Sequence, residues 1–427
     1  MEGGGKRACL VWPRRHGKDL TSINWTAFAS QQRVGTYWMV YPYLNQGKRI
    51  AWNGISGNGV KFLSAFPDEI IHSRSNKDMM LELTNGSVFQ VMGADYPDRM
   101  VGSNPVGIVF SEWSLMDPIV WQLTLPILTE NGGWAVFIYT PRGENHGYST
   151  LFNAGYGALK AKNLTQGITN GKAGRWFCSK LTAADCKVLT KEQLREAREE
   201  VGDENLFQQE FFTSFSAPIR GAYYDSQMKQ MRKDGRICDL SWEPKLPVHT
   251  AWDLGMDDAT TIVFFQEFKN EIRIIDYYEN SGEGLLHYVK HLRSKDYLYG
   301  RHIFPWDIEI RELGTGKSRK ETLQSMGLKV GRAAKKLPVE DGIEAVRNLL
   351  PRVWIDPRNC HRLIESLKGY VKEWDEERKV FRTKPLHNWC SHAADAMRTL
   401  AVGIRDKSRT KLSEQRRMKT TWDIFGT

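Results

Sequence analysis

What most constrains this chain is the punctuation of its first third. Short apolar runs at residues 8–12, 36–41, 87–92, 107–110 and 135–140 alternate with stretches of helical periodicity. That alternation suits a parallel sheet with helices on its faces, a layout in which strands deliver functional loops from their carboxyl ends. No internal repeat interrupts it.

The second half opens on a different pattern. Runs at 248–252, 261–266 and 273–278 follow one another through short turns, with Lys269-Asn270 as a hairpin turn between the last two. A helix at 285–293, a strand at 301–306 and further helices come next. Three antiparallel strands followed by helix and strand is the order of a ribonuclease H-like fold, although several other α/β layouts share it. Between the halves, Pro218, Gly221, Gly235, Pro244 and Pro247 mark residues 216–247 as a linker. At 427 residues the chain is too long for one ordinary domain, and 41% hydrophobic content is enough for two cores. The expected organisation is therefore a first domain over 1–215, the linker, a second domain over 248–404, and a polar, mobile basic tail over 405–427.

A net charge of +10 favours a polyanionic partner, nucleic acid first. No run of about 18 apolar residues is present, so no membrane span is expected, and the start lacks the apolar stretch of a signal peptide. None of the six cysteines forms a CxxC pair, which argues for a reduced, intracellular setting. His387, Cys390 and His392 lie close in sequence, but no second ligand pair accompanies them as a zinc site would require.

Two groups of residues carry chemistry. The first run ends in Trp12 and continues Pro13-Arg14-Arg15-His16-Gly17-Lys18-Asp19 into an apolar-periodic helix. Strand, loop, Gly-Lys and helix form the context of a phosphate loop, in which backbone N–H groups and the helix N-terminus hold phosphates and the lysine reaches the terminal ones. The pattern GxxxxGK followed by Ser or Thr is imperfectly met: Trp12 replaces the first glycine and Asp19 the hydroxyl residue. A strand–turn–helix corner with a surface lysine would read the same way. The run at 106–110, however, ends in Ser111-Glu112, where a nucleotide hydrolase usually has Asp-Glu. The two departures compensate if carboxylate and hydroxyl have exchanged positions, so that Mg²⁺ still meets one of each, from Asp19 and Ser111. Glu112 is then the residue that positions the attacking water. Arg14 and Arg15 lie in the loop with His16 and Gly17. Arg99 is placed to act as an arginine finger towards a neighbouring subunit or to make a surface salt bridge, and Thr140, at the end of the next strand, to respond to the γ-phosphate.

The second group is acidic. Asp253 closes the first strand of the second half, Asp307 closes the later strand, and Asp395 sits in Ser391-His392-Ala393-Ala394-Asp395-Ala396-Met397-Arg398 on the last strong helix, with Asp258 as an auxiliary carboxylate. Each aspartate alone reads as a cap, turn or ion-pair residue. Together they match the ribonuclease H-like plan, in which such carboxylates clamp two Mg²⁺ or Mn²⁺ ions for phosphodiester cleavage. His392 is placed to orient Asp395 or meet a phosphate. Gly314-Thr315-Gly316-Lys317-Ser318 looks like a second phosphate loop, but Arg311 stands where its first glycine belongs. A basic loop touching a DNA backbone is the better reading.

In this order the chain resembles the large terminase subunits of tailed bacteriophages. The resemblance rests on residues 13–19, 110–113 and 140–143, on Phe207-Gln208-Gln209-Glu210-Phe211, and on residues 252–255, 305–315 and 392–398, over about 390 residues. It implies an N-terminal P-loop (ASCE-type) packaging ATPase using ATP and Mg²⁺, and a C-terminal ribonuclease H-like nuclease with a mixed sheet, in which Mn²⁺ can replace Mg²⁺. The catalytic residues it implies are Lys18 and Glu112 in the first domain and Asp253, Asp307 and Asp395 in the second. The implied partners are double-stranded DNA, a portal protein, a small terminase subunit and further copies in a ring of five. The implied place is the host cytoplasm, transiently at the procapsid portal vertex, and not the mature virion. The family's adenine-contacting segment lies well upstream of the phosphate loop, where this sequence has only about a dozen residues, so the expectation is that the contact is absent or that the chain is shortened. The rival readings are a helicase or repair ATPase with an attached nuclease, which would need a second motor-like domain, and a basic capsid component, which would not need the three aspartates.

Overall fold

The computed structural model describes residues 5–172, 174–255, 259–311, 316–331, 333–375, 378 and 380–420, with 405–420 as backbone alone. The chain divides into two compact units, Met1–Pro218 and Ile219–Thr427.

The first unit is built on a nine-stranded sheet of β1 (Arg7–Val11), β2 (Thr36–Tyr41), β3 (Ile71–Ser75), β4 (Met80–Leu83), β5 (Val88–Gly93), β6 (Pro105–Ser111), β7 (Trp134–Tyr139), β8 (Gln166–Gly171) and β9 (Gly174–Lys180). Their spatial order is β3-β4-β5-β2-β6-β7-β1-β9-β8. The six strands from β5 to β9 in that order pair parallel; only the edge pairings β3–β4, β4–β5 and β8–β9 are antiparallel. Side chains alternate across the sheet: Ala8 and Leu10 of β1 enter one core with Ile23 and Ala27 of the helix Lys18–Gln32, while Cys9 and Val11 enter the other with Phe110 and Phe137. Because the central strands are parallel, Val11, Tyr41, Ser111 and Tyr139 all end on one edge.

Local chemistry fixes the helices that follow. Thr190 and Gln193 form a capping box at the start of Lys191–Val201, and Gly202 ends it in the left-handed conformation, φ 62°. The next helix, Glu204–Phe212, starts under an Asp203 cap.

The second unit holds a five-stranded sheet of β10 (Val248–Asp253), β11 (Thr260–Phe268), β12 (Glu271–Asn280), β13 (Tyr299–Ile303) and β14 (Val353–Ile355), in the order β13-β10-β11-β12-β14. β10, β11 and β12 are antiparallel neighbours, and β13 lies parallel to β10. The turn between β11 and β12 places Lys269 at φ 54°, as a tight hairpin demands. A small hairpin, β15 (Lys372–Asp375) with β16 (Val380–Pro385), stands apart from this sheet. One face packs Ala251, Val263 and Ile274 against Val346, Leu363, Ala393 and Met397; the other packs Trp252, Ile262 and Phe264 against Tyr288 and Leu292 of the helix Leu285–Arg293.

Two expectations are altered. The segment 216–247, expected as a linker, contains the helix Asp225–Lys233, whose Met228 and Met231 are buried in the core of the second unit. Two methionines at i and i+3 are enough to make a polar-looking stretch amphipathic. The mobile tail expected from 405 is instead a continuation of the last helix, Trp389–Thr420; residues 421–427 lie outside the described residues.

Candidate functional site

At the carboxyl edge of the first sheet, Val11 leads into the phosphate loop. Arg15 and Gly17 both take left-handed backbone, φ 65° and 81°, and the helix Lys18–Gln32 begins directly after them. Glu112, immediately past β6, is also left-handed at φ 54°. A non-glycine residue held there stores strain of the kind found at functional turns. These bends bring separate elements together. Lys18 Nζ lies 3.4 Å from Glu112 Oε1 and donates to Thr140 Oγ1 at 3.3 Å. Thr140 in turn donates to the Trp12 carbonyl at 3.1 Å. Lys18 is 3% exposed, so its charge acts in a poorly solvated pocket.

Asp19 and Ser111 meet: the Ser111 hydroxyl donates to Asp19 Oδ1 at 2.7 Å. Tyr41, at the end of β2 and fully buried, donates to the same oxygen at 2.9 Å. Burial pushes the Asp19 carboxyl above its usual range, against the pull of Lys18 and the two hydroxyls. Glu112 Oε2 and His16 Nε2 are buried without any hydrogen-bond partner.

The loop is clamped from a third side. Glu210 accepts from Arg14 Nε at 2.8 Å and from Arg142 Nη1 at 2.6 Å. Burial acts to raise the Glu210 carboxyl, but Arg142 and Arg14 outweigh it and hold it below its usual value. Arg15 is exposed, and Arg99 is exposed with its guanidinium 4.3 Å from the Tyr96 ring centre, in contact with that ring rather than with Lys18 or Glu112.

In the second unit Asp253 ends β10, opposite Thr261 on β11, which is opposite Glu279 on β12. The Thr261 hydroxyl donates to the His392 carbonyl at 3.1 Å, fixing the last helix over this end of the sheet. Ala393, Ala394 and Ala396 are fully buried, and their small side chains permit that approach. After burial, Asp395 and, more weakly, Asp253 push the Tyr370 hydroxyl upward, against Arg398. Glu279 accepts from Tyr277 at 2.5 Å and from Arg362 at 3.0 Å.

Among the described residues, no three His, Cys, Asp or Glu side chains lie together closely enough to hold a metal ion. Asp395 is drawn to Arg398, 2.6 Å away one helical turn on. Asp307 lies in the short 3₁₀ helix Trp306–Glu309, beyond β13 rather than on it. Asp258, like residues 312–315 of the basic loop, lies outside the described residues. The donor set nevertheless suits a hard divalent cation: the oxygens are carboxylates, and Asp307 Oδ1 is buried with no hydrogen-bond partner. Burial also lifts the Asp395 carboxyl above its usual range, against Arg398 and His392.

Sequence reasoning assigned no role to Tyr41, Arg142, Glu210, Glu279 or Arg362. The only advance signal was position: Tyr41 closes a strand next to the one ending at Ser111, and Glu210 falls in the Phe-Gln-Gln-Glu-Phe segment.

A mainly parallel sheet whose carboxyl edge joins Gly-Lys, Ser-Glu and a threonine has the layout of a phosphate-loop fold, and the mixed sheet of the second unit has that of a ribonuclease H-like fold. Over 356 residues, 78% of this chain and 73% of the relative, the sequence is 24% identical to the large terminase subunit of Escherichia phage T5. No protein-family model matches. Solved structures similar to the chain include the large terminase of a thermophilic bacteriophage in complex with ADP (17% identity, 92% of each chain, TM-score 0.39). Another is the large-terminase nuclease domain of bacteriophage SPP1 with bound Mn (20% identity, 38% of this chain and 86% of that one, TM-score 0.29). The chain is thus similar to the large subunits of phage terminases.

Proposed function

We propose that this chain is the large subunit of a phage DNA-packaging terminase, in which ATP hydrolysis by residues 1–218 drives double-stranded DNA into a procapsid and residues 219–427 cut concatemeric DNA. The observation that carries this reading is the meeting of Lys18, Glu112, Thr140, Asp19 and Ser111 at one sheet edge, in a chain similar to a terminase over three-quarters of its length.

In the first unit Lys18, with Arg14 and Arg15, neutralises the terminal phosphates, while backbone N–H groups around His16 and Gly17 hold them. Glu112 orients water for attack, and Oε2, which has no other partner, is the oxygen free to do so. Thr140 touches both Lys18 and the loop carbonyl of Trp12, so loss of the γ-phosphate reaches β7 through it. Asp19 and Ser111 would hold Mg²⁺, which would supply charge neutralisation to the phosphates. Arg99, exposed on the surface, serves a neighbouring subunit. In the second unit Asp253, Asp307 and Asp395, with Asp258, would hold Mg²⁺ or Mn²⁺, and the chemistry supplied there would be activation of water for phosphodiester cleavage. Asp395 must then leave Arg398.

The partners that follow are a portal protein, a small terminase subunit and other copies in a ring of five. The working place is the host cytoplasm, at the procapsid portal vertex during packaging and not in the mature virion. Among the described residues no helix is long and apolar enough to cross a membrane. A helicase would need a second motor-like unit; the five-stranded mixed sheet is not one.

The test is paired. Wild type should hydrolyse ATP with Mg²⁺ and digest plasmid DNA with Mn²⁺, and Asp307→Ala should abolish only the digestion. Cleavage surviving in Asp307→Ala would refute the nuclease assignment.

A further inference from the structure

We propose that Tyr41 is a positioning residue of the nucleotide site, holding the Asp19 carboxylate in the orientation that leaves one oxygen free for the divalent cation bound with nucleotide. This rests on the reading of the first unit as an ATPase.

Asp19 occupies the first turn of the helix after the phosphate loop, beside Lys18 in sequence. An unconstrained aspartate there would turn to the neighbouring ammonium and cancel the charge that phosphates need. It does not. Oδ1 instead receives two hydroxyl protons, from Tyr41 at 2.9 Å and Ser111 at 2.7 Å, while Lys18 faces Glu112 and Thr140. Among the described residues no donor meets Asp19 Oδ2. Ser111 spends its proton on Asp19, and the Tyr41 and Ser111 hydroxyls also interact with one another. The result is a carboxylate oxygen without a donor beside a serine hydroxyl, the pair that a hydroxyl in the loop and a carboxylate on the second strand would offer from exchanged positions.

Tyr41 is the third part of that exchange. A hydroxyl in the phosphate loop is short and set by the helix alone, but a carboxylate has two oxygens and a terminal torsion to fix. Ser111 fixes one direction only. Tyr41 comes from the neighbouring parallel strand, is fully buried, and approaches Oδ1 on a rigid ring. The carboxylate is thus held from two strands at once.

The experiment titrates Mn²⁺ by electron paramagnetic resonance against the full chain with and without a non-hydrolysable ATP analogue, reads only the nucleotide-dependent site so that Mn²⁺ held by the second unit is not counted, and separately measures binding of a fluorescent ATP analogue in EDTA. Tyr41→Phe keeps the ring and removes the donor. The expected result is a Mn²⁺ dissociation constant raised about tenfold, the usual effect of removing a partner that orients a ligand, with metal-free nucleotide affinity unchanged. Tyr41→Met, which likewise removes the donor, should raise the Mn²⁺ constant to a similar extent and keeps the test alive if Tyr41→Phe folds poorly; Ser111→Ala, which removes a ligand of the cation, is the positive control for lost Mn²⁺ affinity. An unchanged Mn²⁺ constant overturns the proposal, and so does an equal fall in metal-free nucleotide affinity, which would mark Tyr41 as packing only. A wild-type chain that binds neither analogue would instead remove the ATPase reading beneath it.

Discussion

Glu112 and Glu210 are both carboxylates beside the phosphate loop, yet their surroundings assign them opposite work. Glu112 has one oxygen near Lys18 and one buried with no partner. An orphaned buried acceptor is costly unless function uses it. Glu112→Gln keeps the shape and removes the base, so steady-state ATP hydrolysis should fall about 10²–10⁴-fold while analogue binding persists; hydrolysis within a few-fold of wild type would exclude Glu112 as the group that orients water. Glu210 has both oxygens engaged by arginines, which makes it a brace. Removing the charge from such a brace should cost about 2 kcal/mol of stability, read as a lower urea midpoint for Glu210→Gln. The pH dependence follows from the sign of its shift. Arg142 and Arg14 hold its folded value below the unfolded one, so its contribution is complete above the ordinary glutamate value of about 4.3 and is lost as pH falls through the lower folded value. The gap between wild type and Glu210→Gln should therefore be full at neutral pH and close in acid. A gap that widened in acid would contradict the brace.

At the scale of elements, the exchange between the phosphate loop and β6 makes a coupled prediction. Asp19→Ser and Ser111→Asp should each lose ATP hydrolysis, and the double replacement should recover part of it, because carboxylate and hydroxyl are again one of each. Strict additivity of the two losses would show that the positions are independent. The last helix makes another. Ala394 is fully buried where that helix meets β10 and β11, so Ala394→Leu should overpack the contact and cost about 1–3 kcal/mol, seen in thermal melting; a neutral result would mean the helix sits more loosely. The elements that carry function were legible because their signals are local: residues 36–41 and 285–293 are a strand and a helix with the expected bounds. The unread strands lack such a signal. β8 is Gln-Gly-Ile-Thr-Asn-Gly and β3 is Ile-His-Ser-Arg-Ser, both at sheet edges, polar and mostly out of the core, so neither apolar run nor alternation marks them. Glu210 and Tyr41 were unread for another reason: their partners lie 196 and 22 residues away, and only the folded sheet edge brings them together.

For the whole molecule, the question is whether two chemistries are separable. Each unit has its own pair of cores on the two faces of its own sheet, and the helix Asp225–Lys233, expected as linker, supplies Met228 and Met231 to the second of them. A cut at residue 248 would strip those methionines, along with Tyr223 and Tyr224, from that core; a cut at 219 keeps them. Losing several buried large side chains costs about 2–5 kcal/mol each, comparable with the whole stability of a domain. A chain of residues 219–427 should therefore unfold in one cooperative transition, while 248–427 should not. The longer piece should also cut plasmid DNA with Mn²⁺ and no ATP, and carry no ATPase activity. If 248–427 melts as cooperatively as 219–427, residues 219–247 are a linker after all. If 219–427 folds but cuts nothing under conditions where the full chain does, the nuclease needs its ATPase unit to bring Asp253, Asp307 and Asp395 into a working arrangement.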